Sequence, residues 1–352
     1  MCLETIRKAS WELGFDHCAL APLESPERDQ SAYLDWVAAG SAGEMAYMTR
    51  EPVKRLRPSA TFPEATSVLT LGVSYYQGPF PEKPGPAYGR VARYAWGLDS
   101  HTVIMERLEK LLTQVREILG DAGAAFLAVD TKPLLERSLA EQAGLGIVGK
   151  NTLLIIPRSG TARFHVGSWV FLAEILLSVG TEAPLKKQTN ACGTCTKCLT
   201  SCPTNAFEGP YRLRADKCIS YLTIENKGAI PLDMRPQMGD WLFGCDVCQE
   251  VCPFNARSFE TRWPELKSDR GTGAWVSLKE ILETTDAAAF KNRFAGTPLS
   301  RPKRRGLVRN ACVAAGNSGD ASLLTPLRAL ADDPEPLVRE HAAWAVARLE
   351  AA

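Results

Sequence analysis

The feature that most constrains this chain is a run of four cysteines, Cys192, Cys195, Cys198 and Cys202, followed directly by Pro203. Their spacing, C-x2-C-x2-C-x3-C-P, is that of bacterial ferredoxins, in which each 4Fe-4S cluster is held by four cysteine thiolates. In ferredoxins with two clusters, three cysteines of the run hold one cluster and the fourth ligates the other. The run therefore predicts a second cluster, with further cysteine ligands nearby in the sequence.

A second group of cysteines supplies those ligands. It consists of Cys218, Cys245, Cys248 and Cys252, and Pro253 repeats the Cys-Pro ending. The two groups together provide the cysteines that two 4Fe-4S clusters require. By the crossing rule, one cluster is held by Cys192, Cys195, Cys198 and Cys252, and the other by Cys202, Cys218, Cys245 and Cys248.

Structural zinc and disulfide bonds are the two alternatives for so many cysteines. Zinc is satisfied by pairs of C-x2-C, but it has no use for a third cysteine at the same spacing or for the Cys-Pro endings. Disulfides are disfavoured because no secretory signal is recognised and the remaining cysteines, Cys2, Cys18 and Cys312, are scattered. The pattern indicates electron transfer and leaves the destination of the electrons open.

Length, composition and charge exclude several classes of protein. The 352 residues suffice for two or three domains, and a hydrophobic content of 45% is ordinary for a soluble protein. No apolar run approaches the ~20 residues that span a bilayer, and no targeting signal is recognised. A net charge of +1 means that a polyanion would need a local basic patch. We expect a cytoplasmic monomer without a membrane partner.

One carboxylate stands out in the first half of the chain. Residues 124–130 form an apolar strand that ends at Asp130, and a helix over residues 134–143 follows, opened by Pro133 and closed by Gly144. A carboxylate at the carboxyl end of a buried strand points into the crevice where α/β sheets bind ligands. Burial there raises the pKa, as a proton donor near neutrality requires. Asp130 is an equally good candidate for a helix cap.

Two loops are candidates for cofactor contact. Residues 90–101 place Arg90, Arg93, Tyr94, Trp96 and His101 ahead of a long amphipathic helix, an arrangement that suits a planar, anionic cofactor. The alternative is that the aromatic residues belong to the core and that the histidine caps the helix. The second loop, residues 144–151, resembles a phosphate loop, but it precedes a strand and lacks the Walker spacing.

The C-terminal residues predict a helical repeat. Leu337-Val-Arg repeats Leu307-Val-Arg, each opening an alanine-rich helix, and a further helix over residues 323–330 lies between them. One or two repeat units of the HEAT kind are too few to stand alone and are expected to dock on the rest of the protein. A basic run precedes the repeat and is the best candidate for a nucleic-acid patch, with a solvated loop as the ordinary alternative. Its members are Arg301, Lys303, Arg304, Arg305 and Arg309.

Taken together, these segments resemble the epoxyqueuosine reductases, which are related to reductive dehalogenases. The resemblance runs nearly from end to end. The segments that carry it are Arg-Leu-Arg57-Pro, Arg93-Tyr-Ala-Trp-Gly-Leu-Asp, Val-Asp130-Thr, Gly-Ile-Val-Gly-Lys150-Asn151-Thr-Leu-Leu-Ile, Gly-Cys245-Asp-Val-Cys-Gln-Glu-Val-Cys-Pro and Gly-Leu-Val-Arg309-Asn-Ala. The chain departs from the pattern in a shorter helical tail and in Ser100, where an aromatic residue is expected.

The resemblance implies a multidomain protein of mixed α and β structure. Residues 1–183 would form an α/β cobalamin-binding domain, 184–257 a ferredoxin-like two-cluster module, 258–300 an irregular linker and 301–352 the HEAT-like repeat. In such a family, two 4Fe-4S clusters feed electrons to cobalamin, whose cobalt(I) is the nucleophile that acts on the epoxide of the modified wobble base of tRNA. Asp130 would protonate the departing oxygen, and loss of water would leave queuosine. The electron donor would be of the flavodoxin or ferredoxin type.

Cofactor contacts also follow from the resemblance. The residues matching motif positions near the corrin are Arg57, Arg93, Tyr94, Asp130, Lys150 and Asn151, together with Ser220 and Asp246 from the cluster module. A reductive dehalogenase acting on a small organohalide is the nearest alternative enzyme, although it has no use for a basic helical tail. A two-cluster electron carrier without a substrate is the alternative from another class, although it has no use for the long segment ahead of the cysteines.

Overall fold

The computed structural model of this protein describes residues 2–120, 125–157, 166–181 and 191–351. The elements of the first half are α1 (Cys2–Glu12), β1 (His17–Pro22), α2 (Glu27–Ala38), α3 (Ala46–Thr49), α4 (Pro52–Leu56), β2 (Ser67–Ser74), β3 (Tyr88–Val91), α5 (Ser100–Leu119), β4 (Ala125–Ala128), α6 (Glu136–Gln142), β5 (Ile147–Val148), β6 (Leu154–Ile155) and β7 (Val170–Leu177).

The second half is richer in helix. Its elements are α7 (Lys197–Thr200), β8 (Phe207–Gly209), β9 (Arg212–Leu213), α8 (Ile219–Ile224), β10 (Trp241–Phe243), α9 (Val247–Glu250), β11 (Trp275–Ser277), α10 (Leu278–Leu282), α11 (Ala287–Phe294), α12 (Lys303–Ser318), α13 (Leu324–Ala329) and α14 (Pro336–Glu350). None of the described helices combines the length and the apolar character needed to span a bilayer.

The largest sheet has four strands in the order β1-β2-β7-β4, and each neighbouring pair is antiparallel. Helices α1 and α5 cover one face of this sheet, and α6 covers the other. Because both faces are covered, every residue of β2 is buried, including Ser67, Thr70 and Ser74. The mixed α and β composition is as predicted, but the argument from the crevice of a parallel sheet is wrong because these strands are antiparallel.

The register of this sheet decides where Asp130 lies. Ala128 in β4 pairs with Glu174 in β7, so the residues after β4 run alongside the first residues of β7. Ser74, the last residue of β2, pairs with Val170, the first residue of β7. Asp130 therefore leaves the sheet at the same edge as the end of β2, and this edge faces the second group of cysteines, because Tyr75 and Ser168 bind Gln249 in α9.

A second sheet joins parts of the chain that the sequence assigned to separate domains. Strand β3 pairs in parallel with β10, from the cysteine-rich segment, and antiparallel with β11, from the predicted linker. Residues of this sheet share one core with the C-terminal helices. The segment 258–300 is therefore not an irregular linker, since it contributes β11, α10 and α11 to that core.

Helix α12 lies inside the protein, and not on its surface as expected for a docked tail. It is buried nearly all round, and it packs on α14 so closely that a Cβ on Gly316 would come within 2.7 Å of the Trp344 ring. Inside the helix, Asn310 donates hydrogen bonds to the backbone carbonyls of Thr223 and Leu242. The C-terminal helices thus hold α8 and β10, which flank the second group of cysteines.

Candidate functional site

The predicted cluster ligands fall into two neighbouring groups in space. Burial, and then the nearby thiols of Cys192 and Cys195, raises the pKa of Cys252, although these residues are far apart in sequence. In the other group, burial and then the thiol of Cys218, with Asp246 and Cys202, raise the pKa of Cys248 well above its ordinary value, and Cys198 of the first group lies near enough to contribute. The soft, clustered thiol donors suit iron–sulfur clusters.

No three ligand-type side chains in the described parts of the chain approach closely enough to hold a single metal ion. A 4Fe-4S cluster spreads its four thiolates around a cube of several atoms, so this spacing does not count against cluster ligation. The division of the cysteines between the two clusters stays a prediction.

The Gly-Lys-Asn loop that was expected to contact a corrin fastens both cysteine loops instead. Lys150 donates hydrogen bonds to the carbonyl oxygens of Gly193 at 2.6 Å and Cys195 at 3.0 Å. Asn151 donates one to the carbonyl oxygen of Cys248 at 3.5 Å. Both side chains are buried and their polar groups make these hydrogen bonds. The prediction that they are direct side-chain ligands of a cofactor is therefore corrected.

Asp130 lies on an exposed loop that follows β4. Its backbone has a φ of 53°, which is uncommon for a residue other than glycine, and its side chain is 78% exposed. The predicted burial is therefore wrong for this conformation, because the residue lies beyond the last paired residue of β4. It is not a helix cap either, since α6 begins only at Glu136.

The Asp130 carboxylate faces the start of helix α5. The Nε2 atom of His101 lies 3.6 Å from its Oδ2, and the Nδ1 atom of the same ring lies 3.3 Å from a guanidinium nitrogen of Arg301. Arg301 also pairs with Asp99 at 2.8 Å. Asp99 is the cap of α5, because its carboxylate accepts a hydrogen bond from the backbone N–H of His101. The alternative that His101 caps this helix is therefore wrong.

Arg93 and Asp246 form a buried ion pair. The Oδ2 atom of Asp246 accepts hydrogen bonds from the backbone N–H and the guanidinium of Arg93, at 2.8 and 3.1 Å, and Glu250 binds the same guanidinium at 2.9 Å. Burial raises the pKa of Asp246 to about 6 despite this pairing. The prediction that Arg93 is a direct cofactor ligand is corrected, because its guanidinium is buried between aromatic rings and acidic side chains.

Tyr94 lies between these two sets of charged residues. Burial raises the pKa of its hydroxyl, and the charges that act on it include Arg301, Asp246 and Asp130. The ring is half-buried and lies beside Phe243 and close to Gly244, where a Cβ would lie 3.1 Å from it. Trp96, by contrast, belongs to the core, as the alternative reading of this loop had it.

The remaining predicted cofactor contacts reach solvent. Arg57 is exposed, and Ser220 is half-buried beside Cys218. Tyr47, which the sequence did not single out, is 58% exposed, and Asp130 is among the charges that act on its hydroxyl. The only sequence signal at this position is the composition of residues 43–58, which are rich in Met and Arg.

The basic run divides into buried and exposed members. Arg309 is fully buried and donates hydrogen bonds to the carbonyl oxygens of Leu222, Asn226 and Gly228. Arg304 is buried against Asp333. The prediction that these two arginines contact phosphates is corrected, because neither guanidinium reaches the surface.

Lys303 and Arg305 are exposed, as a phosphate-binding patch requires, and Arg301 is partly exposed beside Asp99. The helical period of α12 explains this division, since it turns successive residues to different sides.

Two groups of cysteines and the exposed carboxylate of Asp130 are typical of the class of iron–sulfur oxidoreductases. Residues 191–255 match the model of the 4Fe-4S double cluster binding domain, which confirms the prediction of iron–sulfur clusters. Residues 55–131, which include Arg57, Arg93, Tyr94 and Asp130, match the family described as epoxyqueuosine reductase QueG, DUF1730.

Relatives of known name extend this match to nearly the whole chain. An epoxyqueuosine reductase of Xanthomonas campestris is 39% identical, over 97% of this chain and 95% of its own. One of Pseudomonas aeruginosa is 38% identical, over 98% and 94%. The chain belongs to the epoxyqueuosine reductase family, and it is therefore an oxidoreductase.

Solved structures agree with this assignment. A crystal structure of epoxyqueuosine reductase with an epoxyqueuosine-modified stem loop of tyrosine tRNA superposes with a TM-score of 0.87 at 30% identity, over 98% of this chain and 89% of that one. The Bacillus subtilis enzyme, with its catalytic aspartate loop swung out of the active site, superposes with a TM-score of 0.85 at 30% identity, over the same shares.

Proposed function

We propose that this protein reduces epoxyqueuosine in tRNA to queuosine, the last step of queuosine biosynthesis. The observation that carries the proposal is the similarity of nearly the whole chain to epoxyqueuosine reductases, one of which was solved with an epoxyqueuosine-modified tRNA stem loop. Asp246 lies between two cysteines of the second group. Asp130, on an exposed loop, is the candidate proton donor, so both requirements for the reduction of an epoxide are present in this chain.

The reaction balances with two electrons and two protons. Both carbon–oxygen bonds of the epoxide break, a carbon–carbon double bond forms, and the oxygen leaves as water. The two groups of cysteines would hold the 4Fe-4S clusters, which would supply the electrons one at a time. An epoxide oxygen leaves poorly as an alkoxide, and a positioned acid contributes about 10² to 10⁴-fold to such a step. The exposed carboxyl of Asp130 supplies the first proton to that oxygen.

The proposal includes cobalamin because the resemblance implies it. When bound, it would supply the low-valent metal chemistry that protein side chains lack. The polar groups available to hold it are those of Tyr94, Ser220 and Arg57, which are half-buried or exposed. The Arg93–Asp246 pair and the side chains of Lys150 and Asn151 are buried, and the Oδ1 atom of Asp246 has no hydrogen-bond partner among the described residues.

The surface of α12 that carries Lys303 and Arg305, together with Arg301, contacts the phosphates of tRNA. A related enzyme that was crystallised with a modified tRNA stem loop supports tRNA as the partner. The HEAT-like character of the tail, a cytoplasmic location, a monomeric state and a one-electron donor of the flavodoxin or ferredoxin type belong to the same proposal.

An anaerobic conversion assay tests the proposal. The protein with reconstituted clusters, cobalamin and a chemical reductant is incubated with tRNA that contains epoxyqueuosine, and the digested nucleosides are weighed. We expect the loss of one oxygen from the modified base, dependent on cobalamin. No conversion, with clusters and cobalamin both bound, would retain the electron path and redirect the search to a small-molecule substrate.

A further inference from the structure

A buried glutamate lies beneath the Asp130 loop. Glu174 in β7 is fully buried, and neither of its carboxylate oxygens makes a hydrogen bond of regular geometry in the described structure. Its neighbour across the sheet is Thr70, whose hydroxyl is likewise buried without a partner there. An ionised carboxylate in such surroundings would cost several kcal/mol, so Glu174 is held as the neutral acid. Burial raises its pKa well above the ordinary value.

Among the charged side chains, Glu136, the first residue of α6, acts most strongly on Glu174. Glu136 is half-buried, and its Oε1 atom accepts a hydrogen bond of 2.8 Å from the backbone N–H of Asp130. Burial, followed by the charge of Asp130, raises the pKa of Glu136 to about 7. The strand register explains the proximity, because Glu174 pairs with Ala128, two residues before Asp130.

We infer that Glu136 is a positioning residue that holds the Asp130 loop through its backbone N–H, and that Glu174, as a neutral acid, holds Glu136 in place. The arrangement stabilises the unusual backbone of Asp130, whose φ is 53°. It deepens the proposed function and rests on it, because a loop that carries a proton donor needs a defined position to be effective.

The other charged groups around this pair do not replace that contact. Arg137 follows Glu136 but binds the hydroxyl and carbonyl oxygens of Thr152. Glu141, further along α6, accepts hydrogen bonds from Arg28 and Val148. His17, on the same face of the sheet, is kept neutral because burial lowers its pKa to about 4. Asp130 and its neighbour His101 complete the set.

The pair makes the position of the loop sensitive to pH. When both carboxyl groups are ionised they repel each other, and ionisation of Glu136 sets in as the pH rises toward its raised pKa of about 7. The single-turnover rate is therefore expected to fall on the alkaline side. Because the folded-state pKa of Glu136 is raised, its contribution to stability is present below the unfolded value of about 4.5 and is lost as the pH rises toward about 7.

Two substitutions at Glu136 test the inference. Glu136→Gln retains an oxygen acceptor for the Asp130 N–H, whereas Glu136→Ala removes it. We expect the alanine variant to lose about 10 to 100-fold in single-turnover rate and the glutamine variant to recover most of that loss. Hydrogen exchange at the Asp130 amide, followed by mass spectrometry, is expected to accelerate in the alanine variant only.

Two further substitutions at Glu174 separate positioning from mere stability. Glu174→Gln keeps a hydrogen-bond donor toward Glu136, and Glu174→Leu removes it while filling a similar volume. We expect the leucine variant to stay folded, because an apolar group suits this site, yet to react more slowly, to exchange the Asp130 amide faster and to lose the alkaline fall in rate. The matched control is Glu117→Ala on the exposed end of α5, which is expected to change none of these readouts.

The possible failures are distinguishable. If Glu136→Gln is as slow as Glu136→Ala, or if Asp130 exchange is unaltered in Glu136→Ala, the positioning role is wrong. If the unmodified protein converts no epoxyqueuosine, the proposed function fails, and the exchange measurement still decides whether Glu136 holds the loop.

Discussion

His101 and Arg301, 200 residues apart in the sequence, lie 3.3 Å from each other beside the Asp130 loop. The same imidazole lies 3.6 Å from Asp130. A residue of the basic run is thereby joined to the group that we propose as the acid. Arg301 lies two residues before α12, the helix that carries Lys303 and Arg305.

Replacing Asp130 by asparagine removes the proton and retains the size of the side chain. Because a positioned acid contributes about 10² to 10⁴-fold, we expect Asp130→Asn to slow single turnover by that order. Iron content and the absorption spectrum of bound cobalamin are expected to be unaltered. Asp269→Asn, at an exposed position that makes none of the contacts described above, serves as the matched control. A rate equal to that of the unmodified protein would remove Asp130 from the mechanism.

Pairs of cysteine substitutions test which thiols share a cluster. Cys192→Ala and Cys252→Ala each remove a ligand of the same predicted cluster, so the double variant is expected to lose half of its iron and no more. Combining Cys252→Ala with Cys245→Ala removes a ligand from each cluster, and we expect nearly all of the iron to be lost. The measurement is the iron content per chain after anaerobic reconstitution. An assignment of clusters by sequence order would be supported instead if the first pair lost all of its iron.

The exposed and buried members of the basic run are expected to behave differently toward tRNA. Neutralising Lys303 and Arg305 together is expected to lower the slope of log affinity against log salt by about 0.9 per lost duplex contact, or about 0.7 for single strands. Arg309→Gln is expected to leave this slope unaltered and to destabilise the fold, because three backbone carbonyls lose their donor. An unaltered slope in the first variant would place the tRNA surface elsewhere.

His341 is expected to make the C-terminal helices sensitive to acid. Its Nε2 atom accepts a hydrogen bond of 3.1 Å from the backbone N–H of Ile230, and burial lowers its pKa to about 4. The unfolded chain, with a histidine pKa of about 6.5, binds the proton more tightly, so stability is full above pH 6.5 and falls as the pH drops toward 4.

The slope in that window is roughly 1.4 kcal/mol per pH unit for one such group. Urea unfolding of the protein with its clusters, at pH 7 and pH 5.5, measures it. His341→Gln retains an acceptor for Ile230 and is expected to weaken the pH dependence. An equal dependence in both proteins would show that His341 is protonated without cost.

Several sequence predictions failed where a side chain meets a distant segment. Lys150, Asn151 and Arg93 carry motif positions near the proposed cofactor, but they bind the cysteine loops and Asp246 instead. Spacing in the chain gives no information on these partners, because they are reached only through tertiary packing. Glu174 was hidden for the same reason, since a single acid within the apolar strand β7 has no local signature.

Local chemistry was readable from the sequence alone. The spacing of the cysteines defines the donor set, because each short loop must present its thiols to one inorganic cluster, and the periodicity of strands and helices follows from which side chains must be buried. Only the tertiary structure decided which charges are available. Antiparallel pairing of β4 with β7 places the Asp130 loop close to Glu174. The burial of α12 leaves Arg309 inside the protein, whereas Arg305 is exposed. Burial and long-range contacts set these outcomes, and both arise from the packing of residues that are far apart in the chain.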